Sequence, residues 1–488
     1  MNVPWRPSAS GGALLLALAW SPSALALPTG PGAFCAVYPD APVCAGGAPC
    51  TLCHTTPPAR NPYGAEVSAA LSPDLTRPLE PTAFAAALEP ALRAVEASDA
   101  DGDGSANLDE ILAGTWPGDP ESVPDTGGGD CTGAEDAPSP NPCAPDLVYT
   151  LRKLTLDVCG RSPTRAERAD FAASDPEIFL ADTLARCLDT EHWRGRDGVV
   201  WSLAHPKIKP IASIKSGEGA GDIPLADYLD DYSLFVYTQT DDRDARELLL
   251  AQYLVDRTDG ATTEYTRVER GAFQDVTTRG FNVAQLVDTN RRAGMMTMRW
   301  FLMSNTMFTG LPRTTAAQAY RAYLGMDIAK LEGLNDVPGE PADYDAKGVK
   351  DPECAQCHAT LDPLTYPFSR YSGIGGEQPG ALPYSYLANR PTRFTHVDGP
   401  DMANTPEAGW LLGEPVANLM EWAEVAANSE AFARAIVLDY WRHFIGRDPV
   451  PTEQATFTDL VRRFRTTHQY RVEAMIADLV TTEVYRVP

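Results

Sequence analysis

Cys354-Ala355-Gln356-Cys357-His358 is the stretch that decides how this chain is organised. In the pattern C-x-x-C-H, two thiols can form thioether bonds to haem vinyl groups and the adjacent imidazole can reach the iron. The same pattern occurs far upstream at Cys50-Thr51-Leu52-Cys53-His54. A single copy could be a chance match, a redox dithiol or half of a zinc site, but two copies favour haem. We predict two covalent c-type haems, with these thioether and iron-ligand residues: Cys50, Cys53, Cys354, Cys357, His54 and His358.

The N-terminus has the features of an export signal. Arg6 supplies a positive charge, residues 13–20 (ALLLALAW) form an apolar core, and Ala24-Leu25-Ala26 is an A-x-A-like cleavage site. We therefore predict that residues 1–26 are removed and that the mature protein is periplasmic or secreted. No later apolar run is long enough to span a bilayer, so no integral membrane segment is expected after cleavage.

Size and charge limit the possible partners. A chain of 488 residues with 44% hydrophobic residues is expected to form roughly two to four domains. A formal net charge of −26 argues against nucleic acid and anionic membranes as partners. A redox protein, one with a basic surface for example, or a small-molecule electron acceptor remains compatible with this charge.

The remaining cysteines predict disulfides. Four of the ten cysteines belong to the C-x-x-C-H sites, so six remain. An even remainder in an oxidising compartment is typical of disulfide-bonded proteins. Loop length alone favours nearest-neighbour pairs, although other connectivities are possible: Cys35–Cys44, Cys131–Cys143 and Cys159–Cys187.

An acidic segment between the haem motifs predicts a calcium site. Residues 99–110 (DADGDGSANLDE) match the EF-hand loop, in which hard oxygen ligands surround Ca²⁺ and a glycine at the sixth position allows a sharp turn. A solvated acidic turn is the alternative. One loop without a partner favours a structural ion over a calcium sensor. The predicted ligands are Asp99, Asp101, Asp103, Ser105 through its carbonyl, Asn107 and Glu110.

Composition and periodicity divide the mature chain into three parts. Residues 27–116 are predicted to form a small cytochrome c-like module, with helices at 81–97 and 108–113 around the acidic loop. Residues 117–146 are a linker rich in Pro, Gly and Asp. Residues 147–488 are predicted to form a larger multi-helix domain that carries the second haem site. The fold class is therefore mainly α. The expected helical segments after 147 lie near 176–188, 226–238, 243–256, 290–308, 313–328, 414–426, 429–445, 451–466 and 469–482.

The larger domain resembles the planctomycete-type large exported cytochromes c. The segment 151–164 (LRKLTLDVCGRSPT) is similar to the family pattern R-x-L-x-L-D-x-x-G-x-x-P-T. Arg292-Ala293-Gly294-Met295-Met296-Thr297, followed by 354–363 (CAQCHATLDP), resembles R-A-G-x-L-T and then C-x-x-C-H-x-x-x-D-P. Phe444-Ile445-Gly446-Arg447 resembles the closing G-R element. The resemblance covers about two thirds of the chain and implies an exported redox module, without implying a particular reaction.

The chain departs from the family pattern at two places. Tyr366-Pro367-Phe368 replaces the usual G-F-A after D-P, and residues 349–353 (VKDPE) replace a charged run that often contains histidine. The second departure removes a source from which a further axial ligand could be inferred.

The ligand opposite each proximal histidine decides the function. A Met or His there is typical of an electron carrier, whereas an open position permits chemistry on a small molecule. For the first site, Tyr63, Asn61, an amine, a residue of the larger domain or no ligand remains open. For the second, His396 ranks slightly ahead of His205 and His443, and packing is the favoured role of the methionines at 295, 296, 298, 303 and 307.

The sequence leaves three functions possible. We expect an exported dihaem cytochrome that transfers electrons between extracytoplasmic partners. The alternatives are a dihaem peroxidase or oxidase with one open haem site, and a surface-binding or structural protein in which haem is accessory. Whether the protein is an enzyme is therefore left open.

Overall fold

A computed structural model describes residues 29–46, 48–56, 59–71, 81–122, 138–208, 230–268, 287–306, 311–328, 337–372, 385–386 and 405–488. The described residues are mainly helical, which confirms the predicted fold class. Their strands form only two-stranded antiparallel pairs. The predicted signal segment 1–26 and His396 lie outside the described residues.

The small module is built from short helices around one apolar cluster. Its helices are α1 (Thr29–Val37), α2 (Pro62–Ala70), α3 (Pro81–Ala94) and α4 (Asn107–Ala113), and its strands are β1 (His54–Thr56) and β2 (Ala59–Arg60). α3 buries Leu88 and Leu92 and is followed by the buried Val95, at the helical spacing that predicted it. These residues pack with Phe34, Tyr63 and Ile111.

The larger part of the chain has its own core. Its helices are α5 (Leu147–Cys159), α6 (Arg165–Ala173), α7 (Pro176–Leu188), α8 (Glu191–Arg194), α9 (Val199–Ile208), α10 (Asp230–Gln239), α11 (Glu247–Leu250), α12 (Arg299–Thr306), α13 (Arg313–Ala319), α14 (Pro352–Leu361), α15 (Leu419–Asn428), α16 (Glu430–Ile445), α17 (Gln454–Thr466), α18 (Val472–Leu479) and α19 (Glu483–Arg486). Its strands are β3 (Leu254–Thr258), β4 (Glu264–Val268), β5 (Tyr371–Ser372), β6 (Ser385–Tyr386), β7 (Gly409–Leu411) and β8 (Glu414–Val416). Trp193, Trp422 and Trp441 are fully buried at its centre.

Capping explains where some of these helices begin. At the start of α6, the Glu167 N–H donates to Thr164 Oγ1 at 3.1 Å, and the Thr164 N–H donates to the Glu167 carboxylate at 2.7 Å. This reciprocal capping box satisfies two backbone donors that the helix itself leaves without partners. Thr164 and Glu167 stand three residues apart in the sequence, which is the spacing of a capping box, so the start of α6 follows from local chemistry.

The helix predicted at 243–256 is partly wrong. α11 ends at Leu250, and the chain then forms the hairpin β3–β4, in which Leu254 pairs with Val268 and Thr258 with Glu264. The Asp-Gly pair at 259–260 is a typical hairpin signal that the helical periodicity obscured.

The helix predicted at 290–308 is also interrupted. Only α12 is α-helical, because Gly294 has φ +46 and lies against the backbone of Leu248, where a Cβ would come within 2.1 Å of the Leu248 carbonyl oxygen. Met295 and Met296 lie in a 3-10 turn and are fully buried in the large core.

Two of the predicted disulfides lie within the described residues. Cys35 pairs with Cys44, and Cys159 pairs with Cys187, which confirms the nearest-neighbour pairing for these cysteines. The third predicted pair includes Cys131, which lies outside the described residues. No helix in the described part of the chain is both long and apolar enough to cross a membrane.

The two cores contact each other through a defined surface. The 3-10 helix Pro42–Gly46 of the small module packs against α17 and against the 3-10 helix Pro451–Glu453. Gly114 lies at the same contact, where a Cβ would be 2.7 Å from Thr452 Cγ2. The small module therefore packs directly on the C-terminal helices, whatever path the linker takes.

A buried ion pair joins α10 to α12. Arg299 has no exposed surface and Asp230 is 3% exposed, with Arg299 Nε 3.2 Å from Asp230 Oδ2. The neighbouring Asp231 is also fully buried; burial and the charge of Asp230 raise the pKa of Asp231 well above its usual value. The guanidinium therefore provides positive charge to a core region that contains two carboxyl groups.

We predict that Arg299→Met strongly destabilises the larger domain. Removing one partner of a buried ion pair typically costs about 3–5 kcal/mol, because the other charge stays buried. Urea unfolding, monitored by tryptophan fluorescence, should have its midpoint at a clearly lower urea concentration than in the wild type.

The matched control is Arg462→Met, which removes an exposed pair with Asp459. Exposed pairs contribute about 0–1 kcal/mol, so this variant should unfold near the wild-type midpoint. Equal midpoints for the two variants would contradict the assigned role of Arg299.

Candidate functional site

The second C-x-x-C-H stretch lies on α14. Pro352 starts the helix, and the N–H groups of Cys354 and Ala355 donate to the Asp351 carbonyl at 2.8 Å. Residues three and four apart share a helix face, so Cys354, Cys357 and His358 lie on one side of α14. Both thiols are free and exposed, and His358 is partly buried beside them. This placement fits the double thioether attachment and adjacent imidazole that a c-type haem requires.

A buried carboxylate orients His358. Asp362 lies four residues further on, in the 3-10 turn Asp362–Leu364, and has no exposed surface. Its Oδ1 is 2.9 Å from His358 Nδ1. An ionised carboxylate can only accept, so Nδ1 carries the proton and donates it. The lone pair of Nε2 is therefore left for a metal, as in most histidine ligands of metalloproteins.

Arg313 on α13 holds this carboxylate in place. Its Nε and Nη2 donate to the two Asp362 oxygens at 2.7 and 2.8 Å, and its Nη1 donates to Asp345 at 2.7 Å. Burial lowers the pKa of Arg313, but the hydrogen bonds to Asp362 and Asp345 outweigh burial and raise it above its usual range. Arg313, Asp345, Asp362 and His358 thus form one connected network, which we call the Arg313 network.

The first C-x-x-C-H stretch has a different local structure. It starts in the 3-10 turn Cys50–Leu52, and His54 begins β1. Cys50 is exposed, whereas Cys53 is partly buried; burial and the neighbouring Cys50 raise the pKa of the Cys53 thiol to about 12. His54 Nδ1 faces a backbone carbonyl, that of Ala59, at 3.3 Å. Each stretch therefore has two thiols and an imidazole whose Nδ1 faces an acceptor. The acceptor is a backbone carbonyl for His54 and a carboxylate for His358.

Close packing against α2 fixes the backbone of the first stretch. The Asn61 side chain donates to the Leu52 carbonyl at 3.0 Å and accepts from the Gly64 N–H at 2.8 Å. A Cβ on Gly64 would lie 1.8 Å from the Cys53 carbonyl oxygen, so this position requires glycine. Asn61 is therefore occupied as a helix cap, which makes it a poor candidate for an iron ligand.

Tyr63 remains a candidate near the first stretch. It is fully buried, and its phenol oxygen has no hydrogen-bond partner among the described residues. Burial and the nearby Cys53 raise the pKa of Tyr63 far above its usual value. The phenol is therefore protonated at neutral pH.

The ligands considered for the second site are mostly engaged elsewhere. His205 Nδ1 is 2.9 Å from the Tyr232 hydroxyl. His443 Nε2 is 3.3 Å from the Asp157 carbonyl, and its ring contacts Trp193 and Phe444. Burial lowers the pKa of His443. Met298, like Met295 and Met296, is buried in the large core. His396 and Met307, and the side chain of Met303, lie outside the described residues.

The acidic loop brings three carboxylates together. Asp99, Asp101 and Asp103 each offer an oxygen within 4.8 Å of the others. Gly104 has φ +100 at the sixth loop position, which is the turn that the calcium loop needs. The N–H groups of Gly104 and Ser105 donate to Asp99 at 2.9 Å and to Asp103 at 2.7 Å. These turns aim the carboxylates inward.

Glu110 gives the clearest sign of a cation site. It is fully buried at the start of α4, and neither of its carboxylate oxygens has a partner among the described residues. Asp101 Oδ2 and Asp103 Oδ2 are also buried and have no partner in the described part of the chain. Burial, followed by the charges of Asp101, Asp103 and Asp99, raises the pKa of Glu110 to about 8. Such a cluster is costly without a cation, since a buried carboxylate needs a compensating charge.

Asn107 has a structural role that the sequence did not predict. It is fully buried; its Oδ1 accepts from the Ala100 N–H at 3.2 Å and its Nδ2 donates to the Val95 carbonyl at 2.8 Å. Nδ2 also lies 3.4 Å from Glu66 Oε2 on α2. The side chain ties the loop to the end of α3 and to α2, so these contacts do not support its prediction as a direct ligand.

Sequence reasoning missed the Arg313 network. Asp362 stands four residues after His358, and that spacing on a helix predicts contact between the two side chains. Arg313 and Asp345 lie far from the motif in sequence, and no local pattern connects them to it. The role of Gly64 also depends on a tertiary approach that the sequence does not show.

No protein-family model, curated protein or solved structure matches this chain. The assignment of its sites therefore depends on its own residues and geometry.

We predict that Glu110→Gln weakens calcium binding by the acidic loop. The substitution keeps the size of the side chain and removes the charge of a bidentate ligand. Isothermal calorimetry of the purified protein should show calcium binding in the wild type and a loss of about tenfold or more in affinity in the variant, the scale seen when a metal site loses a supporting group.

Asp109→Asn is the matched control, because Asp109 is the exposed neighbour of Glu110 in α4. Its affinity should stay within about twofold of wild type, since one exposed charge contributes little. Protons compete with calcium for Glu110, so wild-type affinity should rise from pH 6 to 8 and then level off. Calcium binding that is unaffected by Glu110→Gln would mean that the loop is only an acidic turn.

Proposed function

We propose that this protein is an exported dihaem c-type cytochrome that transfers electrons between extracytoplasmic redox partners. The observation that carries the proposal is the arrangement on α14: two exposed thiols and an imidazole share one face, and the imidazole has its Nδ1 held by Asp362. A bound c-type haem would supply a one-electron couple between ferric and ferrous iron.

The residues of this chain would divide the work as follows. Cys354 and Cys357 would hold one haem covalently, and Cys50 and Cys53 would hold the other. His358 and His54 would each offer Nε2, because their Nδ1 atoms face Asp362 and Ala59.

The small module would act as a rigid carrier of the first site. Asn61 and Gly64 fix the backbone around Cys53 through contacts with α2. Asn107 connects the acidic loop to the same helix through Glu66. We propose that one calcium ion at Asp99, Asp101, Asp103 and Glu110, with the Ser105 carbonyl, stabilises this module. Extracytoplasmic calcium is plentiful, so a structural site does not need tight affinity.

Charge supports a protein partner for the transfer. A net charge of −26 repels other anionic surfaces and attracts a partner with a basic surface. Association with such a partner should slow as ionic strength rises, because salt screens the attraction.

A dihaem peroxidase is the second candidate, and the specific observation that favours it is again Asp362. A carboxylate partner makes a histidine ligand more basic than a carbonyl partner does. A more strongly donating ligand suits reduction of a small molecule if the opposite side of the iron is open.

Spectroscopy of the mature protein separates these candidates. For electron transfer, electronic and resonance Raman spectra should show six-coordinate, low-spin haem in both oxidation states, with fully reversible reduction. A five-coordinate, high-spin fraction, together with peroxide-dependent oxidation of the reduced protein, would instead establish the peroxidase candidate. The absence of haem bands would reject both.

A further inference from the structure

The two proximal histidines differ in the chemistry of the group behind them. His54 faces a neutral acceptor, the Ala59 carbonyl, at 3.3 Å. His358 faces an anion, the Asp362 carboxylate, at 2.9 Å. The His358 side chain is 24% exposed and Asp362 is 0% exposed, so water screens this contact only weakly. One chain therefore contains both a histidine with a neutral acceptor at Nδ1 and a histidine with a charged one, so the two can be compared directly.

The Arg313 network holds the Asp362 carboxylate in place beside His358. Each Asp362 oxygen accepts a hydrogen bond from Arg313, and only Oδ1 also faces His358. Asp345 accepts from the same guanidinium, so two carboxylates share one positive charge. The network carries a net negative charge beside the imidazole even though Asp362 is paired.

A charged acceptor changes what a histidine gives to a metal. Hydrogen bonds to ionised groups are shorter and stronger than neutral ones. When Nδ1–H donates to a carboxylate, the ring gains electron density and Nε2 becomes a stronger donor. A stronger donor stabilises the more positive oxidation state of the metal, which lowers its reduction potential.

We infer that Asp362 is a positioning residue that sets the donor strength of His358 and lowers the reduction potential of the C-terminal haem. The inference depends on the proposed function, since it concerns the haem on Cys354 and Cys357. It goes beyond that function by assigning a role to Asp362, with Arg313 and Asp345 as its support. His54 has no such carboxylate at Nδ1 in the described structure, so the effect is confined to one of the two haems.

The test is a potentiometric titration of the dihaem protein carrying Asp362→Asn. Asparagine keeps the shape and the acceptor oxygen but removes the charge, which makes the partner of His358 resemble that of His54. The equilibrium constant for reduction of one of the two haems should rise about tenfold. For a one-electron couple, this moves its reduction potential about 59 mV in the positive direction. The reduction potential of the other haem should stay in place.

Asp345→Asn is the matched control. It removes a carboxylate from the same network without touching His358, so it changes the local charge but keeps the His358–Asp362 contact. Its shift should be less than half that of Asp362→Asn. Equal shifts of the reduction potential in the two variants would show that the local charge alone sets the potential, and would overturn the positioning role of Asp362. An unchanged potential in Asp362→Asn would also overturn it.

A measurement on the wild type covers the case in which Asp362→Asn does not mature. In the ferrous protein labelled with ¹⁵N-histidine, and made diamagnetic with carbon monoxide where needed, the His358 Nδ1 proton should resonate downfield of the His54 proton and exchange more slowly. Equal shifts and equal exchange would overturn the inference. A pyridine haemochrome value below two haems per wild-type chain would instead reject the proposed function, so the two failures can be told apart.

Discussion

The shared guanidinium of Arg313 is the interaction on which the second site depends. It joins three parts of the chain: α13, the turn that contains Asp345, and the end of α14 at Asp362. Burying a carboxylate such as Asp362 without a cation would cost several kcal/mol, of the order estimated for unpaired buried ions. Arg313 removes that cost and leaves one Asp362 oxygen directed at His358. The orientation of the imidazole therefore follows from packing far from the C-x-x-C-H motif.

The first site follows a different physical logic. Its histidine faces a carbonyl, and its backbone is held by the Asn61 cap and by the lack of a side chain at Gly64. The acidic loop is connected to the first site through the contact of Asn107 with Glu66 on α2. The small module thus depends on backbone fit and on the loop carboxylates, and the larger domain on a buried ion network. A cluster of buried, unpartnered carboxylate oxygens in the loop and a charged partner for His358 are two electrostatic features that distinguish the modules.

Local patterns in the sequence predicted local structure well. The amphipathic spacing at 176–188 corresponds to α7, and the acidic segment 99–110 has the turn geometry of a calcium loop. These features depend on contacts within a few residues. The helix at 243–256 is only partly correct, because after α11 the pairing of β3 with β4 outweighs the helical periodicity.

Long-range structure set the limit of prediction. Arg313 and Asp345 join the second site from 45 and 13 positions before His358, with no motif to mark them. Asn107 fits the ligand pattern of the loop, yet its amide is taken by backbone groups and Glu66. Spacing gives the type of residue at a position, but the direction of its side chain depends on what packs around it. For the same reason the motif identified His358 but not the carboxylate that orients it.

Mass spectrometry of the purified mature protein tests the central claim most directly. The account predicts that the intact mass under denaturing conditions exceeds the polypeptide mass by two haem groups, because thioether bonds survive unfolding. Proteolysis should place one group on a peptide containing Cys50–His54 and the other on a peptide containing Cys354–His358. An unmodified chain, or a single haem-bearing peptide, would contradict the account.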